Sequence, residues 1–288
     1  MSHTGSESDA KVQEHFINAG GFLTRCLLAG PSDGKPVLLL HDAAFGGSSD
    51  VTWRQVLPAL AKKYRIIAPD LLGFGGSDKV VFVDRSPYEF RNQHVLALLD
   101  VLGIKRPVHL IGSSFGGSMG LHMLREHASR LASVVSIAGA GGGWRTVFGR
   151  EILGSWNGTR EGLKAIAEVL ASDSGTFSLD AHVDERFKSA CTNGHYRAVT
   201  AAAIKLPPSL ASSGDRDPFP RVPDSKIPVL LIAGQHDTLV EADWTEKLLP
   251  LLPSRSEALV MASKHSPNLD HAPALNEALL AWLTRHTD

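Results

Sequence analysis

Short, mostly apolar runs recur along the chain at 37–40, 65–69, 108–112, 132–138, 229–233 and 258–261. A strand buried on both faces has no polar side to alternate with, so such runs predict the inner strands of a sheet covered on both sides. Between them, apolar residues fall at helical spacing over 53–63, 88–102, 241–252 and 274–285, and the second of these stops at Gly103, a helix-ending residue. Residues 13–29 differ: two half-polar runs meet at Gly20-Gly21, which predicts an edge hairpin. Strands alternating with helices imply an α/β fold built on a mostly parallel sheet.

The alternation lapses between residues 143 and 222. Helical patterns appear at 160–171, 183–190 and 198–204, with no convincing strand, and Pro207-Pro208, 212–214, Pro218, Pro220 and Pro223 read as a return linker. A helical insertion between two strands would lie over their carboxyl ends. The organisation expected is therefore a flexible tail at 1–12, a core formed by 13–142 and 223–288, and a helical cap with its return linker at 143–222.

Composition narrows the classes of function. The chain has 288 residues, 43% of them apolar, with a formal net charge of -1. That balance gives no reason to expect nucleic acid or an anionic membrane as partner. No apolar stretch approaches the length of a bilayer span, and residues 1–11 lack the apolar core of a signal peptide, so a cytoplasmic protein is expected. The two cysteines, Cys26 and Cys191, form neither a disulfide framework nor a metal pattern, and the 13 histidines lack metal-ligand spacing. No metal and no cofactor are expected.

The run Val108-His109-Leu110-Ile111-Gly112-Ser113-Ser114-Phe115-Gly116-Gly117 carries the chemistry. An apolar strand breaks into Gly-x-Ser-x-Gly and resumes as a helix, the context in which a serine hydroxyl is pushed out of a sheet edge on a tight turn. Ser114 is the candidate nucleophile. A serine needs a base and an orienting acid, which follow it in the chain when it sits on such a turn. Asp237 lies in the loop after the 229–233 strand, and the loop after the preceding strand holds only glycine and alanine before Trp144. His265 follows the 258–261 strand, ahead of the last helix. His271 and His236 are its rivals, one further along the chain and one adjoining the acid. The backbone N–H of Phe115 and one from the Ala43 region are the expected oxyanion donors. His41 reads as a brace for its loop.

His41 to Gly47, the turn Asp70-Leu71-Leu72-Gly73-Phe74-Gly75-Gly76-Ser77-Asp78, Gly112 to Gly117, Gly234-Gln235-His236-Asp237 and His265 occur in the order of the α/β-hydrolase superfamily, which the chain resembles over nearly its whole length. Within it, the chain is most similar to the meta-cleavage-product hydrolases, which cut a carbon–carbon bond beside a ketone in ring-fission products. That resemblance implies a small, largely apolar carbonyl substrate and a cap arginine, here Arg186, that holds the substrate's carboxylate or enolate. It also places Asp42, Ser113 and Ser266 beside the substrate, where that group carries Gly, Asn and Trp. The superfamily's habits imply a homodimer. Ester or lactone cleavage by the same serine machinery is the alternative, followed by a non-catalytic ligand receptor on the same scaffold.

Overall fold

The computed structural model describes residues 11–83, 85–201 and 225–287. Most of the 1–12 tail, and the proline-rich return linker with the end of the 198–204 helical pattern, lie outside the described residues. Strands β1 (Gln13–Ala19) and β2 (Phe22–Ala29) form the antiparallel hairpin read from the sequence. Gly20 and Gly21 turn it with φ of 59° and 88°, which only glycine adopts without strain at both positions of a two-residue loop. Strands β3 (Pro36–Leu40), β4 (Arg65–Pro69), β5 (Val108–Ser113), β6 (Leu131–Ile137), β7 (Val229–Gly234) and β8 (Glu257–Met261) complete the sheet. The order is β1-β2-β4-β3-β5-β6-β7-β8, parallel from β4 onward.

Except in β8, an edge strand whose residues 257–260 are exposed and which is therefore no inner strand, the apolar runs follow from burial on both faces. In β3, Leu38 and Leu40 enter one core cluster with Leu98, Leu99 and Met119, while Val37 and Leu39 enter the other with Trp53, Leu60 and Trp282. The first cluster is covered by α3 (Pro87–Val101) and α4 (Phe115–Glu126). The second is covered by α1 (Ser49–Trp53), α2 (Leu57–Leu60) and α11 (Ala272–Arg285).

Two helices expected as single pieces are broken. The 53–63 pattern is α1 and α2, because Pro58 has no N–H to bond back to Arg54; α1 begins earlier than expected, capped by Ser48 Oγ accepting from Val51 N. The 241–252 pattern is α9 (Trp244–Leu248) followed by a 3₁₀ turn, and Pro250 sits where the α-helical ladder would need a donor.

Between β6 and β7 the described residues hold four helices: α5 (Val147–Gly154), α6 (Arg160–Leu170), α7 (Leu179–Ala190) and α8 (His195–Thr200). Leu163, Ile166 and Leu170 of α6, with Trp156, pack on Ala44 and Phe45 after β3 and on Leu239 after β7. The helices therefore sit over the carboxyl ends of the strands. Helix α5 was not expected from the sequence: it carries two glycines and leaves Val147 and Phe148 exposed, so it shows no clean apolar stripe.

Candidate active site

Strand β5 delivers Ser114 at the carboxyl edge of the sheet with φ 53° and ψ -111°, a conformation costing on the order of 1–3 kcal/mol for a non-glycine residue. The spacing of the neighbouring glycines has a steric cause. A Cβ on Gly112 would stand 2.2 Å from the Gly116 carbonyl carbon, and one on Gly116 would stand 2.1 Å from the Leu40 carbonyl oxygen. The turn is held by Ser114 N donating to Ile137 O at 2.7 Å and Ser118 N donating to Ser114 O at 3.0 Å.

Parallel pairing of β7 with β8 brings the next two loops together. Gly234 lies opposite Met261, and its missing side chain lets Lys264 O approach; a Cβ there would stand 1.9 Å away. His236 N then donates to Ser263 O at 2.9 Å, which fixes one loop against the other. In this frame His265 Nδ1 lies 2.7 Å from Asp237 Oδ2, and His265 Nε2 lies 2.9 Å from Ser114 Oγ. Leu239 N donates to the second oxygen, Asp237 Oδ1, at 2.8 Å. With Asp237 accepting from Nδ1–H, Nε2 is left to accept the serine proton. The structure thus brings Ser114, His265 and Asp237 into one hydrogen-bonded chain. The rivals lie elsewhere: His236 is exposed, and His271 pairs with Asp270 at 2.8 Å.

Ala43 and Phe115 both line the cavity beside Ser114. Phe115 opens α4, where the first N–H groups have no intrahelical acceptor, so its amide is free of the helical ladder. His41 braces its loop: Nε2 accepts from Leu71 N at 2.8 Å, so Nδ1 carries the proton and donates to Asp42 O at 2.6 Å. Burial holds this histidine below its ordinary pKa, in keeping with that neutral form.

The cavity has a volume of about 560 Å³ and lies between the helices after β6 and the strand ends. Phe45, Phe74, Leu153, Leu170 and Val240 make most of its wall apolar.

Of the four residues expected to contact substrate, Asp42 lines the cavity, while Arg186, Ser113 and Ser266 do not. Arg186 is fully buried and does not reach the cavity wall. Its Nη1 and Nη2 donate to Asp42 Oδ1 and Oδ2 at 3.1 and 3.0 Å, Nη1 also to Phe45 O at 3.2 Å, and Nε to His182 Nε2 at 3.2 Å. Asp42 touches the cavity, but Ala44 N and Thr52 Oγ1 occupy its remaining acceptor sites at 3.0 and 2.9 Å. Burial alone would raise the Asp42 pKa; the Arg186 guanidinium outweighs it and holds the carboxyl well below the usual range. Ser113 is buried against Asn268, and Ser266 is buried with its N–H on Leu170 O; neither lines the cavity. Both are packing residues rather than cavity residues.

The model of the alpha/beta hydrolase fold family matches residues 35–272. The chain belongs to the α/β-hydrolase family. Among relatives of this α/β-hydrolase, the 2-hydroxy-6-oxo-6-(2'-aminophenyl)hexa-2,4-dienoic acid hydrolase of Metapseudomonas resinovorans is 28% identical over 282 residues, covering 98% of this chain and 94% of the relative. The 2-hydroxy-6-oxo-6-phenylhexa-2,4-dienoate hydrolase of Burkholderia cepacia is 28% identical and covers 87% and 88%. The crystal structure of CarC, a serine hydrolase involved in carbazole degradation, superposes with a TM-score of 0.77 at 26% identity, covering 95% of this chain and 99% of that one. The α/β-hydrolase is accordingly an enzyme of the hydrolase class, similar to meta-cleavage-product hydrolases.

Sequence reading missed three arginines in the wall of this α/β-hydrolase's cavity: Arg91, Arg145 and Arg150. For Arg91 a signal existed. It lies in register with Tyr88, Val95, Leu98 and Leu102, the apolar stripe of α3, where a charge is out of place. Among the described residues no group of His, Cys, Asp and Glu side chains is placed to hold a metal, and no helix is long and apolar enough to cross a membrane.

Proposed function

We propose that this hydrolase cleaves the carbon–carbon bond beside a ketone in a ring-fission dienoate, with Ser114 as nucleophile, His265 as base and Asp237 as the acid that orients it. The observation that carries the reading is the hydrogen-bonded Ser114–His265–Asp237 chain opening into a largely apolar cavity. That relatives are named as hydrolases of 2-hydroxy-6-oxo-dienoates supports this choice of substrate and bond.

In this reading the dienol first takes a proton on carbon to become its keto tautomer, which makes the adjoining carbon a competent leaving group. Ser114 Oγ then attacks the far ketone while His265 Nε2 takes the hydroxyl proton. The oxyanion forms against the N–H groups of Ala43 and Phe115. Collapse breaks the carbon–carbon bond, and the departing electron pair accepts the proton held by His265. Water, deprotonated by His265, hydrolyses the acyl-serine and restores the enzyme.

Steady-state kcat/KM on 2-hydroxy-6-oxo-6-phenylhexa-2,4-dienoate and on 4-nitrophenyl butyrate, side by side, tests this. The dienoate is expected to be far the better substrate, with Ser114→Ala lowering kcat by roughly 10³-fold or more. Turnover of the ester alone would overturn the carbon–carbon reading. Ester or lactone cleavage is the second reading, favoured by the enclosure of Arg186 in its pair with Asp42: a neutral carbonyl substrate has no need of a cap cation.

A further inference from the structure

We propose that Arg91, on the core helix α3, is the residue that receives the substrate's carboxylate, in place of the cap arginine Arg186. The inference rests on the reading above only in taking the substrate to be an anion with an apolar tail.

Two cations compete for the part, and their surroundings separate them. Arg186 already has two carboxylate oxygens, a carbonyl and an imidazole nitrogen on its fork, all buried. A substrate carboxylate could reach it only by displacing Asp42, which would strand a buried anion at a cost of several kcal/mol. The pair is closed and electrically neutral.

Arg91 is in the opposite state. It lines the cavity, and its guanidinium carbon stands 5.4 Å from the centre of the Phe115 ring, one residue after the nucleophile. Tyr88, one helical turn before it, stacks on the same Phe115 ring with centroids 5.0 Å apart. Its Nε and Nη1 donate to the carbonyls of Leu72 and Pro87, both at 3.2 Å, and among the described residues it forms no ion pair and its Nη2 has no acceptor. Carbonyl dipoles offset only part of the cost of taking a guanidinium out of water. Burial accordingly pushes the Arg91 pKa down to about 10, which leaves it charged at neutral pH and short of a counter-ion. A carboxylate arriving in the cavity would supply one.

The rest of the wall points the same way. Asp42 is the one carboxylate lining the cavity among the described residues, and it is neutralised by Arg186. Arg145 and Arg150 line it as well and are exposed, so the entrance adds positive charge that would draw an anion inward. The cavity thus offers apolar surface for a hydrocarbon tail and an unpaired cation beside the residue that follows Ser114.

Equilibrium binding separates this role from a structural one. The probes are 2-hydroxy-6-oxo-6-phenylhexa-2,4-dienoate and its uncharged methyl ester, titrated into the Ser114→Ala protein and into Ser114→Ala carrying Arg91→Gln or Arg91→Lys. The quantity read is the ratio of the two Kd values. Ser114→Ala is expected to prefer the anion, and Arg91→Gln to cut that preference roughly 10- to 100-fold, the range of one charge-assisted contact. Arg91→Lys is expected to retain much of the preference and guards against misfolding of the glutamine variant. An unchanged ratio in Arg91→Gln, or no preference for the anion in Ser114→Ala, would overturn the assignment. Because binding needs no turnover, an enzyme that fails to hydrolyse the dienoate would sink the carbon–carbon reading and still leave Arg91 decided by the ratio.

Discussion

Gly112 and Gly116 show at the scale of single residues what the motif around Ser114 encodes. Their side chains are absent because backbone atoms fill the space, and that space exists only because Ser114 takes a left-handed turn. Gly116→Ala is therefore expected to unfold the turn or to cost well over 3 kcal/mol, since a Cβ at 2.1 Å from Leu40 O forces the backbone apart. Gly103 is the contrast: its φ is 69°, but nothing stands within 4 Å of a Cβ there. Gly103→Ala should cost only about 1 kcal/mol, the penalty of the conformation alone. Chemical denaturation of both variants checks the difference, and similar losses would refute the steric account. Ser114, Asp237 and His265 were legible in the sequence because each sits at a fixed offset from a strand end. The state of Arg186 was not, because its partner Asp42 is 144 positions away and only the fold sets them face to face. The carboxylates beside it in the chain, Asp184 and Glu185, pair with Arg160 and Arg54 instead.

Among elements, the inner strands were read to within a residue or so, since burial on both faces leaves an unmistakable apolar run. Helices were read less well wherever proline interrupts the ladder, at Pro58 and Pro250, or where the helix rests on the surface, as α5 does. Helix α7 is the element whose place matters most to the site. Arg186 and Glu185 tie it to Asp42 and Arg54, so the loop that carries Ala43 is held from above. Removing one half of the buried pair leaves the other uncompensated: Asp42→Leu or Arg186→Met alone should cost about 3–5 kcal/mol. The double variant Asp42→Leu with Arg186→Met should lose less than the sum of the singles. A thermodynamic cycle by urea unfolding reads this coupling. Additive losses would mean that the pair does not act as a unit.

The whole molecule carries a pH dependence written in its buried histidines. Burial pushes His94, His109 and His195 down to about 4 and His182 down to about 3, against an ordinary 6.5. Their partners explain why the neutral forms suit the fold: His195 Nε2 accepts from Gly46 N at 2.9 Å and its Nδ1–H donates to Gly73 O at 2.9 Å. Folded-state values below the unfolded one mean that the unfolded chain binds more protons under pH 6.5. Stability contributed by these residues is thus full above pH 6.5 and is lost as pH falls toward about 4, with each histidine adding up to about 1.4 kcal/mol per pH unit in that window. Urea unfolding at pH 7.5 and 5.0 should show a loss of several kcal/mol, shrinking in His195→Gln; a flat profile would contradict the buried neutral histidines.

In the proposed reaction Ser114 attacks a ketone and leaves a carbon–carbon bond broken behind it. Rapid mixing of excess enzyme with 2-hydroxy-6-oxo-6-phenylhexa-2,4-dienoate, quenched during a single turnover and followed by mass analysis of the peptide carrying Ser114, tests it most directly. A transient benzoyl adduct on Ser114 is expected, formed as the dienoate absorbance decays and absent from Ser114→Ala. Decay of the dienoate at the same rate in both proteins, with no adduct on that peptide, would contradict it.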